Sequence, residues 1–373
     1  MMYHFKIETQ VDSAWNQNLI KNNSGNFFQS SDYLTSDSKN FFPVFIYVID
    51  ESNKVVGQIG MSIIKTTVLY SSSSFQKILK LITNITRRGI WLFGPILYSD
   101  VKKERLEILQ QIILAINVVC KKYDLVFIEG YTSPYDRLMD EECLQLFVKN
   151  NYVISEHITF MTDLSKSTEQ IFQNISKKTR GDIKRAERRE IVVKELQTID
   201  ELKEFLLLHN AWARTKGLEI SDPFQDQEKL WKNHKSGAEK FFLAYQQNKL
   251  ISGLRVSCFN GIVYTHFVVS SYSESTNLGG TLLTWTAINW AKNMGFRLYD
   301  FSGGSKSNLQ NQDTLLFYKK KWGGDEYSHY NVIKTHKKLH YVLYRFLFDL
   351  VRTYHNFRSK YTKSSKYMTD DDK

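Results

Sequence analysis

Residues 296–304 read FRLYDFSGG and residues 316–324 read LFYKKKWGG, and these two short stretches form the strongest pattern in the chain. In the first, a strand-like run ends at Asp300 and continues into a Ser-Gly-Gly turn. In the second, a short helix presents Tyr318 and three consecutive lysines before a tryptophan and another glycine pair. Strand ends and glycine turns are where open α/β sheets build sites. The pattern therefore predicts a functional site between Tyr299 and Gly324.

The second half of the chain, upstream of these stretches, alternates strands and helices. Three apolar runs separated by short polar spacers predict a meander: KFFLAYQQ (240–247), LISGLRVSCF (250–259) and IVYTHFVVS (262–270). An amphipathic pattern predicts a helix over Ile199 to Thr215, and another over Gly280 to Met294 with Gly295 as its C-cap. The glycine pair between Asn277 and Thr281 indicates a strand-to-helix turn that would let backbone N–H groups approach a ligand.

The first half of the chain also alternates strand-like and helix-like segments. Its strand-like runs are PVFIYVID (43–50), VVGQIGMSII (55–64), WLFGPIL (91–97), LVFIEGY (125–131) and HITFMTDL (157–164). Helical periodicity covers Val101 to Lys122 and a shorter stretch from Glu141 to Lys149. Mixed strands with interleaved helices in both halves predict an α/β (α+β) fold in which one architecture is used twice. The expected domains are 1–164 and 165–334, followed by a basic tail, 335–373.

The charge of the chain favours an anionic partner. The net charge is +11, and it is concentrated in two segments. Residues 176–191 hold seven Lys/Arg against three Asp/Glu, and residues 335–373 hold nine against four. With 42% hydrophobic residues the chain can build sizeable cores, so global disorder is excluded.

The cysteines and the hydropathy pattern indicate a cytoplasmic protein. Cys120, Cys143 and Cys258 are far apart, lie in apolar runs and lack metal-ligand spacing, so we expect buried, reduced thiols and no metal. The first residues lack a signal-peptide pattern, and no apolar run approaches the ~18 residues that span a bilayer.

The basic segment SKKTRGDIKRAERR (176–189) predicts a cationic helix. At helical spacing it has two basic rows, one with Lys177, Arg180, Lys184 and Arg188, the other with Lys178, Arg185 and Arg189. A helix start beside Lys and Arg suits a phosphate, although a solvated charged helix explains the same composition. Arg214 lies at a probable helix end, where it could contact substrate or complement the helix dipole.

Two further segments are basic and amphipathic. In residues 71–88, Phe75, Ile78, Leu79, Ile82 and Ile85 form an apolar stripe among basic residues. In the tail the stripe is Leu339, Leu343, Phe346, Leu350 and Tyr354. Such helices can lie on an anionic membrane surface, although amphipathic helices generally pack inward on their own domain.

The order of these motifs resembles the FemAB-type family of acyl- and aminoacyltransferases, which are built from two GNAT-like domains. The resemblance rests on SKKTRGDIKRAER, the YTHFVVS-type strand, LLTWTAINWAKNMGFRLYDFSGG and FYKKKWGG, and it is clearest from Ser165 to Lys334. FYKKKWGG is close to the family's Phe-Lys-x-x-Phe/Trp-Gly-Gly run. The resemblance implies two GNAT-like domains, each a mixed, mostly antiparallel sheet flanked by helices, with a basic helix at the C-terminus.

The resemblance also implies a set of site residues. Tyr318 and Lys319 stand at the family's aromatic-lysine pair near the transferred group, so Lys319 is expected to stabilise the oxyanion or leaving group while Tyr318 shapes the site. Asp300 and a phosphate of the substrate are the two candidates for the general base. The expected substrate-binding residues are Lys177, Arg180, Arg214, Gly303, Gly304, Lys320 and Trp322.

The function implied is transfer of an activated acyl group onto an amine acceptor, in cell-envelope peptide or glycan biosynthesis. The donor would be aminoacyl-tRNA, acyl-CoA or another thioester, with no bound cofactor, and the acceptor an amine-bearing envelope precursor. The simple GNAT acyl-CoA loop is not found at Ser275 to Thr281, and no long coiled-coil insertion of the kind that some tRNA-using members carry is found either. The alternative is a non-catalytic basic module that binds RNA or anionic lipid. Either would be cytoplasmic or peripheral at the inner face of the membrane.

Overall fold

The computed structural model describes residues 2–36, 41–64, 87–136, 139–215, 224, 226–271, 274–307, 314–350 and 353. They form two compact units. Unit 1 contains Met1–Ile158 and Ser328–Val351, and unit 2 contains Thr159–Tyr327. The chain thus leaves unit 1 after Ile158 and returns to it at Ser328, so unit 1 is discontinuous. The tail predicted to begin at residue 335 starts inside unit 1.

The helices and strands follow the alternation expected from the sequence. The strands are β1 His4–Glu8, β2 Phe41–Ile49, β3 Val55–Ile64, β4 Arg88–Trp91, β5 Ile96–Leu97, β6 Phe127–Tyr131, β7 Val153–Asp163, β8 Val192–Glu195, β9 Glu239–Gln246, β10 Lys249–Phe259, β11 Ile262–Ser270, β12 Leu298–Ser305 and β13 Asp325–Thr335. The helices are α1 Ser13–Ile20, α2 Ser31–Leu34, α3 Lys102–Lys122, α4 Glu141–Lys149, α5 Thr168–Asn174, α6 Lys177–Arg188, α7 Ile199–Thr215, α8 Gln227–Ser236, α9 Glu274–Asn293, α10 Thr314–Lys320 and α11, residues 338–350.

Unit 1 is a mixed sheet covered by helices. Its strand order is β1-β2-β3-β4-β6-β13, and β5 pairs with β3. The β4–β6 pair is parallel, whereas β1–β2, β2–β3, β3–β4 and β6–β13 are antiparallel. The long helix α3 buries Ile108, Ile112 and Ile116 in the core. Their four-residue spacing places them on one face of the helix, and burying each stabilises the unit by about 1.5–3 kcal/mol.

Unit 2 has the strand order β7-β12-β11-β10-β9-β8. The meander β9–β10–β11 is antiparallel as predicted, and β11 pairs with β12 in parallel. That parallel pairing joins only Ile262–Tyr264 to Leu298–Asp300, although both strands continue beyond it. The two strands therefore separate just before Ser302. The predicted end of the strand at Asp300 is wrong, because β12 continues through Ser302, Gly303 and Gly304 to Ser305. The left-handed φ of Ser302 changes the direction of the strand there, and we call residues 302–304 of β12 the turn.

The glycine pair at the start of α9 is part of the helix, so the expected strand-to-helix turn at Asn277 to Thr281 is wrong. The helix already begins at Glu274. A Cβ atom on Gly279 would lie 2.8 Å from Ser252 Oγ, and one on Gly280 would lie 3.2 Å from Val268 Cγ1. These glycines therefore let α9 lie close against β10 and β11, which is a packing requirement that the sequence pattern does not reveal.

The three cysteines are buried free thiols, as predicted. Burial raises the pKa of Cys120 and of Cys258 to about 12 and that of Cys143 to about 11, which keeps all three protonated near neutral pH. Within the described part of the chain, the helices are too short or too polar to cross a membrane. The amphipathic stripe from Phe75 to Ile85 lies outside the described residues.

Candidate active site

The turn at residues 302–304 of β12 is held by a buried carboxylate. Asp300 is fully buried, and its Oδ1 accepts hydrogen bonds from the Ser302 backbone N–H at 2.7 Å and from the Thr159 hydroxyl at 2.5 Å. Ser302 has a φ of 59°, in the left-handed region that a serine enters at a cost of the order of 1 kcal/mol. The Asp300 contacts offset that cost and fix the direction of the turn.

Lys319 connects this turn to α10. Its Nζ donates a hydrogen bond to Ser302 Oγ at 2.7 Å and approaches the Gly303 carbonyl oxygen at 3.4 Å. The residue is only 9% exposed. The ammonium group is therefore fixed by the turn rather than mobile in solvent, and a fixed donor needs little reorganisation when charge develops beside it. The two stretches that stood out in the sequence thus meet through one lysine.

A cationic cleft of about 470 Å³ opens between α6, α9 and α10 of unit 2. Its lining residues are Lys178, Asp182, Arg185, Arg189, Leu278, Thr281, Tyr318 and Lys321. Four of these side chains are cations and one is a carboxylate. Converging Lys and Arg side chains are the usual means of binding phosphate or another multiply charged anion.

The positions of the basic residues around the axis of α6 determine which of them reach the cleft. Lys178, Asp182, Arg185 and Arg189 recur at intervals of four, three and four residues, so they share one face. The neighbouring face is buried through Thr179, Ile183 and Ala186. A 2.5 Å salt bridge joins Arg185 to Asp182, which neutralises part of the positive charge and orients the guanidinium.

Tyr318 in α10 and Lys321, which directly follows that helix, complete the cleft. Lys321 Nζ lies 4.1 Å from the centroid of the Tyr318 ring, a cation–π contact. Burial lowers the pKa of Lys321, nearby Lys178 lowers it further, and Asp182 raises it. An anion in the cleft would favour the charged form of this lysine. Burial raises the pKa of Tyr318, so its phenol is protonated at neutral pH.

The Trp-Gly-Gly run that follows α10 packs in the core and fixes the position of that helix. Trp322 is fully buried, and its ring stacks on Phe301 with the centroids 6.0 Å apart. Gly323 has a φ of 73°, and a Cβ atom there would lie 2.1 Å from the Asn174 carbonyl oxygen. A Cβ on Gly324 would lie 2.8 Å from the Met161 carbonyl oxygen. This part of the motif is therefore explained by packing, which holds Tyr318 and Lys319 in position.

The structure distributes the predicted site residues over several places. Tyr318 lines the cleft, whereas Lys319, Asp300, Gly303 and Gly304 belong to the turn and its contacts. Trp322 lies in the core beneath them, and Lys320 is exposed.

The remaining predicted substrate-binding residues do not line the cleft. Lys177 is exposed, and the Arg180 guanidinium donates to the Gln173 carbonyl oxygen. Arg214 is exposed at the end of α7, where it complements the helix dipole. The cleft instead uses the second basic row of α6, together with Lys321. If Ile183 and Ala186 are taken as the buried face of α6, their positions in the sequence identify the row of Lys178, Arg185 and Arg189 as the one nearer to that face.

Comparison with known proteins supports the expected fold. Residues 173–320 match the family model described as an acetyltransferase (GNAT) domain. No curated protein matches the sequence. Among solved structures, FemX superposes with a TM-score of 0.68 at 13% identity over 91% of this chain and 99% of its own.

Two other solved structures share the fold at lower similarity. A tandem GNAT protein from the clavulanic acid biosynthesis pathway has a TM-score of 0.53 at 10% identity over 90% of this chain and 98% of its own. The C-terminal domain of a putative lysylphosphatidylglycerol synthetase from Agrobacterium fabrum has a TM-score of 0.51 at 9% identity over 88% and 95%. The chain therefore shares the fold of FemX and of a tandem GNAT protein, which is the fold that the resemblance implied.

Proposed function

We propose that this chain, with its FemAB-type tandem GNAT fold, transfers an acyl or aminoacyl group from a phosphate-bearing donor to an amine acceptor. The observation that carries the proposal is the position of two adjacent residues of α10. Tyr318 lines the cationic cleft, and Lys319 is hydrogen-bonded to the strand-end turn. One short helix thus connects a site suited to an anionic ligand with a fixed positive donor.

The cleft is proposed to hold the phosphates of the donor. Its five charged lining side chains carry a net charge of +3 when the lysines are protonated. Both classes of donor under consideration carry phosphates, aminoacyl-tRNA along its backbone and acyl-CoA on its nucleotide. The aromatic face of Tyr318 offers a surface on which the less polar part of either donor can lie.

In the proposed reaction the amine nitrogen attacks the carbonyl carbon of the activated acyl group. The new N–C bond forms, negative charge accumulates on the carbonyl oxygen, and the C–O or C–S bond to the donor then breaks. The nitrogen loses one proton, and the departing oxygen or sulfur gains one. Lys319 would stabilise the oxyanion or the leaving group with its ammonium.

Asp300 fits a positioning role better than that of a general base. The carboxylate is fully buried, and two donors already occupy its Oδ1. Both hydrogen bonds stabilise the turn that holds Lys319, so Asp300 would act on the reaction through that turn. A phosphate oxygen of a bound substrate is the remaining candidate for accepting the amine proton.

The acceptor is proposed to be an amine-bearing cell-envelope precursor. The support for it is the FemAB-type resemblance together with the fold shared with FemX. The fold shared with a putative lysylphosphatidylglycerol synthetase supports a second acceptor, an anionic lipid that receives an aminoacyl group on a hydroxyl. The two acceptors differ in the bond formed, an amide in one case and an ester in the other.

Mass spectrometry of the products would test this function. The full-length protein is offered aminoacyl-tRNA and acyl-CoA pools side by side, each with peptide-precursor and phosphatidylglycerol acceptors. We expect one acceptor to gain the mass of the acyl group, with resistance to mild base distinguishing amide from ester. Steeply salt-dependent RNA binding without product from either donor would instead identify a non-catalytic binding module.

A further inference from the structure

Helix α11 is fixed to unit 1 by its aromatic inner face. Tyr344 is buried, and it packs with Tyr341 and Phe348 against Val126, Phe127 and Ile333. The rings of Tyr341 and Tyr344 each lie 5.0 Å from the ring of Phe127, centroid to centroid. The Arg88 guanidinium lies over the Tyr344 ring at 5.1 Å. These contacts fix the rotation of the helix and hence the residues that it turns outward.

The opposite face of α11 is apolar and exposed. Its members and their exposed fractions are Leu339 85%, Val342 65%, Leu343 41%, Phe346 60% and Leu350 50%. Each of them lies three or four residues from another member, so they form one continuous stripe. The interpretation that the tail stripe packs inward is therefore wrong for Leu339, Leu343, Phe346 and Leu350, while Tyr354 lies outside the described residues. We call the five exposed side chains the outer face.

Cations lie along one side of the outer face. Lys338 and Arg345 are exposed at positions that flank the apolar stripe, and the half-buried Asp349 lies on the same side one turn after Arg345. No carboxylate of the described residues forms a salt bridge with either of them, whereas Lys337 is paired with Asp124 at 2.6 Å. Their charges are thus available to an external anion.

We propose that the outer face docks on an anionic lipid bilayer, with its apolar side chains at the boundary between headgroups and acyl chains. Exposed apolar residues would be buried there, while Lys338 and Arg345 would remain at the level of the lipid phosphates. Self-association fits less well, because a two-fold contact between identical outer faces would bring the same cations from both copies together. Attachment of unit 1 to a bilayer through α11 does not depend on the proposed chemistry.

Vesicle co-sedimentation of the full-length chain tests the apolar part of this proposal. Vesicles of phosphatidylglycerol with phosphatidylcholine are compared with phosphatidylcholine alone. The variant Leu339→Gln/Phe346→Gln changes two solvent-exposed side chains, so the fold should persist, as circular dichroism can verify. We expect its binding to the anionic vesicles to fall at least about tenfold, since two large apolar side chains would no longer leave water on docking.

The matched control places the same change elsewhere on unit 1. Val148 and Val153 are also large exposed apolar residues, so Val148→Gln/Val153→Gln should bind vesicles like the natural sequence. Unchanged binding by Leu339→Gln/Phe346→Gln would overturn the proposal. So would a natural chain that fails to bind vesicles but is a dimer in light scattering, and that this variant converts to a monomer.

A second pair of variants tests the charge. Lys338→Gln/Arg345→Gln should weaken binding to the anionic vesicles severalfold and reduce its salt dependence, since basic residues near such a surface are attracted to the lipid phosphates. Lys103→Gln/Lys149→Gln removes the same charge from exposed positions of α3 and α4 and should leave binding unchanged. Equal losses in both variants would show attraction by net charge alone, which would contradict docking through the outer face.

Discussion

Lys319 is the residue on which the proposed chemistry most depends. Replacing it with methionine keeps most of the side-chain volume and removes the ammonium that is hydrogen-bonded to Ser302. Loss of one preorganised donor to a developing oxyanion typically costs about 10²–10³ in rate. We therefore expect Lys319→Met to lower kcat by that factor while KM for the donor changes less, as measured by the rate of product formation.

The control for this variant must separate lost chemistry from lost structure. Lys249→Met removes a lysine from an exposed position of unit 2 and should keep normal turnover. Lys319→Arg keeps a positive donor at the turn and should recover part of the rate. If a folded Lys319→Met protein turned over substrate at a near-normal rate, Lys319 would have no role in the reaction. The fold of the chain would be unaffected by that result.

At the residue scale, the sequence identifies the chemical groups better than their contacts. The FYKKKWGG run indicates Lys319 and Tyr318 because of its composition and its likeness to a family motif. It does not reveal that Ser302 adopts a left-handed conformation or that Asp300 accepts two hydrogen bonds in the turn. These features depend on Thr159, far away in the sequence, so no local pattern could predict them.

At the element scale, the two basic rows of α6 allow the effect of cleft cations on donor binding to be compared with that of other cations of the same helix. Arg185 and Arg189 line the cleft, whereas Lys184 and Arg188 lie outside it. Charge-assisted hydrogen bonds contribute about 1.5–3 kcal/mol each. We expect Arg185→Gln/Arg189→Gln to raise KM for the donor tenfold or more (about 1.4 kcal/mol) and to weaken its salt dependence, with a smaller effect on kcat.

The comparison variant is Lys184→Gln/Arg188→Gln, which removes the same charge from the same helix. Its donor KM should stay within about twofold of the natural value at moderate salt, because Lys184 and Arg188 do not line the cleft and salt screens exposed charges that make no direct contact with the ligand. If both double variants raised KM equally, the anion would be attracted by the general field of α6. The cleft would then not be the donor site.

The hydrophobic periodicity of the sequence predicts most helices and strands, whereas the glycine pair of α9 led to a wrong prediction of where that helix begins. The helices Ile199–Thr215 and Glu141–Lys149 have the bounds that their patterns predict. Helix α9 begins before its glycine pair, because Gly279 and Gly280 provide close contact with the sheet rather than a turn. Gly181 in α6 shows a third situation, since a Cβ there would meet nothing within 4 Å. A glycine alone therefore does not distinguish a turn from a close contact.

At the scale of the whole molecule, the sequence predicts two similar halves but not the discontinuity of unit 1. Strand β13 pairs with β6 in that unit, with Val332 opposite Gly130 and Ile333 opposite Glu129. The partners lie about two hundred residues apart, and Val332 is fully buried. Pairing over such a distance leaves no periodic signal. The expected division at residues 334 and 335 assigned this strand to the second domain.

Two truncations would distinguish these domain plans. Ending the chain after Thr335 keeps β13 and removes α11, which uncovers Val126 and Phe127. Ending it after Tyr327 also removes the residues of β13 that pair with β6, so β6 would be left as an unpaired edge. We expect the shorter chain to lose amide protection in β6 and to be cleaved rapidly within unit 1, and the longer chain to keep the sheet with reduced stability. Hydrogen exchange and limited proteolysis would measure both. Equal protection of β6 in the two truncated chains would mean that unit 1 folds without β13, as the continuous domains expected from the sequence require.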